Sequence, residues 1–162
     1  MKRLIVLTVL IFSSFSGYLY GQTFDWNIRG GLNIMPDLNS DGKVFYGYHA
    51  GVQAGVRVSY WGFYGEGIYS LNANQDGGDP VAYIMPGINI KRYLKQFLFV
   101  DFGGALLIVA GDPGLSESTL NPENKPLFMA GLGAKISKFE LSLRVLSRSS
   151  YAIIQATAAV KF

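Results

Sequence analysis

Asp37-Leu38-Asn39-Ser40-Asp41-Gly42 is the stretch whose residue types and spacing suit chemistry. Carboxylate and amide oxygens at alternate positions, followed by a glycine that lets the chain turn sharply, form the first half of a loop that wraps a hard cation such as calcium. Asp37, Asn39 and Asp41 are the candidate ligands. The twelfth position of such a loop supplies a bidentate acid, and here it is Tyr48. Asp, Asn, Ser and Gly also build polar turns between strands, which is the plainer reading. A second acidic stretch, 74–79, can add ligands from a neighbouring loop or simply keep that loop soluble. His49 is the only histidine. Acid–base work would need a carboxylate or a serine beside it in an accessible cleft, and no motif pairs it with one. A hydrogen-bonded interior histidine is the expectation, and an enzyme acting at the outer leaflet with His49 and a loop acid is the alternative.

Other chemistries are excluded by what the chain lacks. It has no cysteine, so disulfides, thiolate metal sites, cysteine catalysis and a lipidated N-terminal cysteine are out. No phosphate-binding loop, dinucleotide fingerprint, nucleophile elbow or zinc motif occurs, and Gly131-x-Gly133 lies within a strand rather than before a helix. The formal charge of +3 includes Lys2 and Arg3, which precede the apolar run Leu4 to Phe12 and the small residues Ser13, Ser14, Ser16 and Gly17. A basic start, a short apolar core and small residues describe a secretory signal peptide, expected over 1–21 with cleavage after Gly21. Removing Lys2 and Arg3 leaves the remainder, 22–162, at +1. With no basic cluster or stacking platform, nucleic acid is not an expected partner.

The elements that must position these residues are strands. At the end of the chain Ile154, Ala156, Ala158, Val160 and Phe162 alternate with Ile153, Gln155, Thr157, Ala159 and Lys161, a period of two. Seven similar runs precede it, at 24–34, 46–58, 63–71, 82–93, 97–110, 127–136 and 139–147. Long connections at 35–45, 72–81 and 111–126, and a short one at 148–151, alternate with tight ones at 59–62, 94–96 and 137–138. Long loops at one end and short turns at the other characterise outer-membrane barrels. The fold expected is all-β: an eight-stranded antiparallel up-and-down transmembrane barrel.

Alternation alone does not say which face points in, since a soluble lipocalin-like barrel binding an apolar ligand shows the mirror pattern. One set holds Trp26, Ile28, Val52, Val56, Ile84, Ile88, Ile90, Phe102, Leu106, Phe128, Leu132, Leu141, Leu143 and Phe162. The opposite set holds Arg29, Arg57, Glu66, Lys91, Asp101, Lys135, Glu140, Arg144 and Lys161, together with Gly31, Gly51, Gly55, Gly87, Gly103, Gly131 and Gly133. An eight-stranded barrel is only just wide enough for side chains, so glycines beside long charged groups belong inside. Lipid is then outside. Tight turns set Lys135 opposite Glu140, Arg57 diagonal to Glu66 and Lys91 diagonal to Asp101, and these are the expected interior pairs. Six interior cations against three acids leave an excess to be met by water, tyrosines, carbonyls or an anion. Aromatics near strand ends, among them Phe24, Tyr60, Trp61, Tyr93, Phe97 and Phe139, form the girdles of a membrane barrel.

Tyr64-Gly65-Glu66-Gly67-Ile68-Tyr69-Ser70 resembles the third strand of the small PorT-type outer-membrane β-barrel family, with an inward Glu. The run 82–94, with Pro86 and its Lys91-Arg92-Tyr93 finish, resembles that family's fourth strand. The segments 99–111 and 129–133 and the terminal Phe162 fit its fifth, sixth and last. The seventh departs, since Arg144-Val145-Leu146-Ser147-Arg148 replaces an Arg-Tyr and Gly-Leu ending. The resemblance implies an outer-membrane barrel without a shared catalytic role.

The sequence therefore points to a non-enzymatic barrel of the bacterial outer membrane. Its expected partners are outer-membrane lipid, the barrel-assembly machinery through the last strand ending in Phe162, and a protein or envelope component met by loops 35–45, 72–81 and 111–126. No cofactor is expected beyond calcium in the Asp37 loop. Eight strands leave no open aqueous channel, so any permeation would be small.

Overall fold

Every described segment of the computed structural model is strand or the turn between two strands; it describes residues 22–36, 44–72, 80–95, 97–110, 125–148 and 151–162. The strands are β1 (Gln22–Pro36), β2 (Val44–Val58), β3 (Trp61–Asn72), β4 (Val81–Tyr93), β5 (Leu98–Val109), β6 (Lys125–Ile136), β7 (Phe139–Arg148) and β8 (Tyr151–Lys161). Each pairs antiparallel with the next, and β8 returns to β1, closing the barrel. The seam runs from Asn27↔Lys161 to Ile34↔Ile154. Beyond its last pair, Phe162 N–H donates to Trp26 C=O at 2.9 Å, and the two rings stack with centroids 4.5 Å apart. The expected signal segment 1–21 lies outside the described residues.

Two described turns have two residues each, Ser59-Tyr60 and Ser137-Lys138. In both the serine takes a positive φ, 54° and 57°, while its follower does not. A positive φ at the first central position only is the type II′ pattern, whose twist matches that of the flanking strands. These turns, the 94–97 connection and both strand termini at the seam gather at one end. The opposite end carries the three longer connections and the short one between β7 and β8, most of whose residues lie outside the described set.

The alternation decides the two surfaces. Ile88 and Phe128 are 73% and 75% exposed on the outer wall, with Val52, Phe102, Leu132, Leu141 and Leu143 beside them. Arg29, Gln53, Glu66, Asn89, Lys91, Asp101, Glu140 and Arg144 are buried inside. A wall of large apolar side chains around a charged, filled interior is stable only when the outside solvent is hydrocarbon. The mirror arrangement, a water-soluble barrel around an apolar ligand, is ruled out by the charges that occupy its centre.

The inward glycines keep those charges possible. A Cβ on Gly131 would strike Asp101 Oδ1 and sit 2.7 Å from Arg144 Cγ, and one on Gly133 would strike the Phe99 ring. On the outer wall the situation reverses, since nothing lies within 4 Å of a Cβ placed on Gly65 or Gly67. Contacts under 3 Å are therefore confined to the lumen, as the narrow bore of eight strands requires.

Candidate functional site

Glu66, on the inward row of β3, is the hub of the interior. Its Oε2 accepts from Arg29 Nη1 at 2.6 Å, Asn89 Nδ2 at 2.9 Å, Gln53 Nε2 at 3.0 Å and Arg144 Nη1 at 3.0 Å. Those donors come from β1, β4, β2 and β7. Arg144 also sets its Nε 2.6 Å from Asp101 Oδ2, a charge contact rather than an aligned hydrogen bond. Nearer the tight turns Lys91 Nζ donates to Glu140 Oε2 at 2.5 Å and Lys161 Nζ lies 2.6 Å from Asp25 Oδ1. Buried charges of this kind are costly to desolvate, and the return comes from pairing and from added hydrogen bonds. Here each central pair joins strands that are not neighbours, so the network ties the wall together across the lumen.

The expected pairs are thereby corrected. Lys135 stands opposite Glu140 in the ladder, as its turn dictates, and Lys91 stands directly opposite Asp101 rather than diagonal to it. Yet Glu140 is taken by Lys91, Asp101 by Arg144, and Glu66 by Arg29 and Arg144 rather than by Arg57. In a narrow lumen a long side chain reaches the far wall as easily as its neighbour, so adjacency does not choose the partner. Asp25 is a fourth interior acid that the reading by polarity passed over. Its parity with Asn27 and Arg29 was the available signal.

His49 is buried on β2 and held at both ring nitrogens. Nδ1 lies 2.8 Å from Asn33 Oδ1 and Nε2 lies 3.0 Å from Thr157 Oγ1. Asn33 donates through Nδ2 to Ser70 Oγ at 2.6 Å and to Asn72 Oδ1 at 2.8 Å, and its Oδ1 accepts from Gln155 Nε2 at 3.2 Å. Its carbonyl can only accept, so in the neutral ring Nδ1 carries the proton and Thr157 donates to Nε2. The order hydroxyl, imidazole, amide has the sequence of a nucleophilic relay. All of it is buried in the lumen among the described strands, however. It is a packed polar cluster.

Toward the long loops the inward rows of β4 to β8 turn apolar, beside the His49, Asn33, Ser70 and Asn72 cluster on β1 to β3. Met35, Ile68, Tyr83, Met85, Ala105, Leu107, Leu127, Met129, Leu146 and Ile153 form one buried cluster, packed on by Phe45 and Val81. The lumen is thus charged toward the tight turns and filled toward the loops by hydrocarbon on one side and the neutral His49 cluster on the other. An ion crossing it would have to leave the charge network and enter that plug, a step strongly opposed by desolvation. On the outer wall a trough of about 520 Å³ runs over Gly30, Ala156 and Ala158 between Leu32, Leu132 and Leu143, and every side chain it turns outward is apolar.

The candidate calcium ligands Asp37, Asn39 and Asp41 lie outside the described residues, as do most of loops 35–45, 72–81 and 111–126. Tyr48, at the position where a calcium loop needs its last acid, is exposed on the outer wall. Among the described residues no group of three or more His, Asp or Glu side chains is placed to hold a metal.

No protein-family model matches the chain, and no curated protein matches it. Among solved structures, a de novo designed transmembrane β-barrel is 14% identical, covering 89% of this chain and 98% of that one with a TM-score of 0.54. Ail, the attachment invasion locus protein of Yersinia pestis, is 11% identical in its complex with the heparin analogue sucrose octasulfate, covering 89% of this chain and 100% of that one with a TM-score of 0.46. The same protein in a phospholipid bilayer nanodisc gives 12% identity, 86% and 100% coverage, and a TM-score of 0.47. At these identities the likeness to the designed barrel concerns the fold alone, and the fold is that of a transmembrane β-barrel.

Proposed function

We propose that the chain is a non-enzymatic protein of a bacterial outer membrane, a rigid barrel whose work is done by the long loops at one end. The observation that carries this reading is the filled lumen. Among the described residues, a lumen filled by an ion-pair network, a polar cluster and hydrocarbon offers neither a transport route nor a catalytic cleft, which leaves the loops as the surface that meets other molecules. The segments 35–45, 72–81 and 111–126 would face outward, with the tight turns and the seam termini in the periplasm. The motifs around Glu66 and Pro86 support kinship with small PorT-type barrels, and Glu66 does point inward as that resemblance implies. The His49 alternative has less behind it, because both ring nitrogens are occupied inside the lumen.

Fractionation with heat-modified electrophoresis tests the location. The protein should sediment with outer membranes, need detergent for extraction, and migrate differently before and after boiling. Recovery in the aqueous fraction with unchanged mobility would overturn the reading. Replacing 111–124 by a short Gly-Ser turn should leave the mobility shift intact while abolishing capture of whatever partner the loops hold. Loss of the mobility shift in that variant would instead place the segment in the barrel.

A further inference from the structure

From the apolar cluster to the tight turns the inward rows carry six cations, Arg29, Arg57, Lys91, Lys135, Arg144 and Lys161, against four carboxylates, Asp25, Glu66, Asp101 and Glu140. Arg29, Lys91, Arg144 and Lys161 consume all four. Among the described residues Arg57 and Lys135 form no ion pair. Each stands one residue before the end of its strand, half-buried, in the mouth at the tight-turn end. Although β2 and β6 face each other across the barrel, Lys135 and Arg57 open on the same mouth as Lys161, which ends β8 two strands from β6, and Glu140, opposite Lys135 in the ladder, is already paired with Lys91.

Three cations thus converge on one mouth, and Asp25 answers only Lys161. Arg57 is fixed there, with Nε donating to Ser59 C=O at 3.1 Å and its guanidinium 4.1 Å over the Tyr93 ring. The Tyr93 hydroxyl is in turn 3.1 Å from that of Tyr64, which donates to Asp25 Oδ2 at 3.3 Å. Holding like charges together in a partly dehydrated mouth is unfavourable unless something neutralises them. A guanidinium fork and two ammonium groups gathered at one mouth suit an oxyanion with several acceptor oxygens.

We propose that this mouth is an anion-binding site in which Arg57, Lys135 and Lys161 hold a phosphate-type oxyanion. The site rests on the barrel interior alone; the orientation proposed above adds that it opens to the periplasm. The anion can be free or can be the headgroup of a lipid at the rim, where Arg92 stacks over Trp61 and Tyr60 at 4.7 and 5.4 Å.

The test uses the full chain folded into neutral phosphatidylcholine vesicles, with unfolding midpoints measured in sodium phosphate and in sodium chloride at equal ionic strength. Phosphate should raise the midpoint of the parent and of Lys95→Gln, an exposed charge at the same end, and should not raise that of Arg57→Gln/Lys135→Gln. In chloride the double variant should be at least as stable as the parent, since like-charge repulsion has been relieved. A second set of vesicles containing phosphatidic acid, without free phosphate, distinguishes the sources. A rise there that depends on Arg57 and Lys135 assigns the headgroup, and a rise with free phosphate alone assigns the soluble anion. Should the double variant not fold, broadening of the phosphate ³¹P resonance by the parent, lost in Lys135→Gln alone, reads the same site. An equal phosphate shift in parent and double variant, or no response of the parent to either source, overturns the proposal.

Discussion

Glu66 holds more of the interior together than any other single side chain described here, because two buried arginines depend on it. Glu66→Ala leaves Arg29 and Arg144 facing each other without their shared counter-charge. Breaking a buried pair by removing one partner costs about 3–5 kcal/mol. Urea unfolding in vesicles, followed by tryptophan fluorescence, should show a loss of that size, and a change below about 1 kcal/mol would mean the lumen is wetter than the burial of these groups indicates. The glycines make a paired prediction. Gly131→Ala should destabilise, its methyl colliding with Asp101 and Arg144, whereas Gly65→Ala on the open outer wall should be neutral or stabilise by about 0.5–1 kcal/mol. Similar losses in both would contradict the difference in crowding between lumen and wall. At this scale the sequence was legible as to face but not as to partner. Arg29, Arg144 and Lys91 could be placed inside by period two, yet their partners sit two to four strands away, a separation that no local spacing encodes.

Strand by strand, the elements were almost fully legible, since each expected run agrees with its strand to within two residues. Hydrophobic alternation flanked by turn residues is a strong local signal, and a two-residue turn then fixes the ladder: Lys135↔Glu140 followed directly from Ser137-Lys138. The apolar plug was less visible. Leu127 and Met129 share parity with Gly131 and Gly133, and Met85 shares it with Gly87 and Asn89, so position alone assigns them to the lumen. Sorting residues by polarity hides them, because toward the loops both faces of a strand are apolar. Leu146→Ala should therefore cost about 2–5 kcal/mol despite lying in a membrane protein rich in exposed leucine, whereas Leu143→Ala on the outer wall should cost far less. The turns give a further expectation. Ser137 sits at a φ of 57°, where a side chain costs about 1–2 kcal/mol. Ser137→Gly should raise the unfolding midpoint and Ser137→Val should lower it. The opposite order would mean that the serine hydroxyl, not the backbone conformation, stabilises the turn.

For the whole molecule the central claim is that the apolar surface faces hydrocarbon and the charges fill the lumen. The chain has no cysteine, so single-cysteine nitroxide labels can be placed without background. On β7, Leu141, Leu143 and Val145 point outward while Ser142 points in. Power-saturation measurements in vesicles report collisions with oxygen, which concentrates in hydrocarbon, and with a water-soluble nickel chelate. Labels at 141, 143 and 145 should show high oxygen and low nickel accessibility, and the label at 142 should be shielded from both. High nickel accessibility at 141, 143 and 145 would put that wall in water and contradict the account.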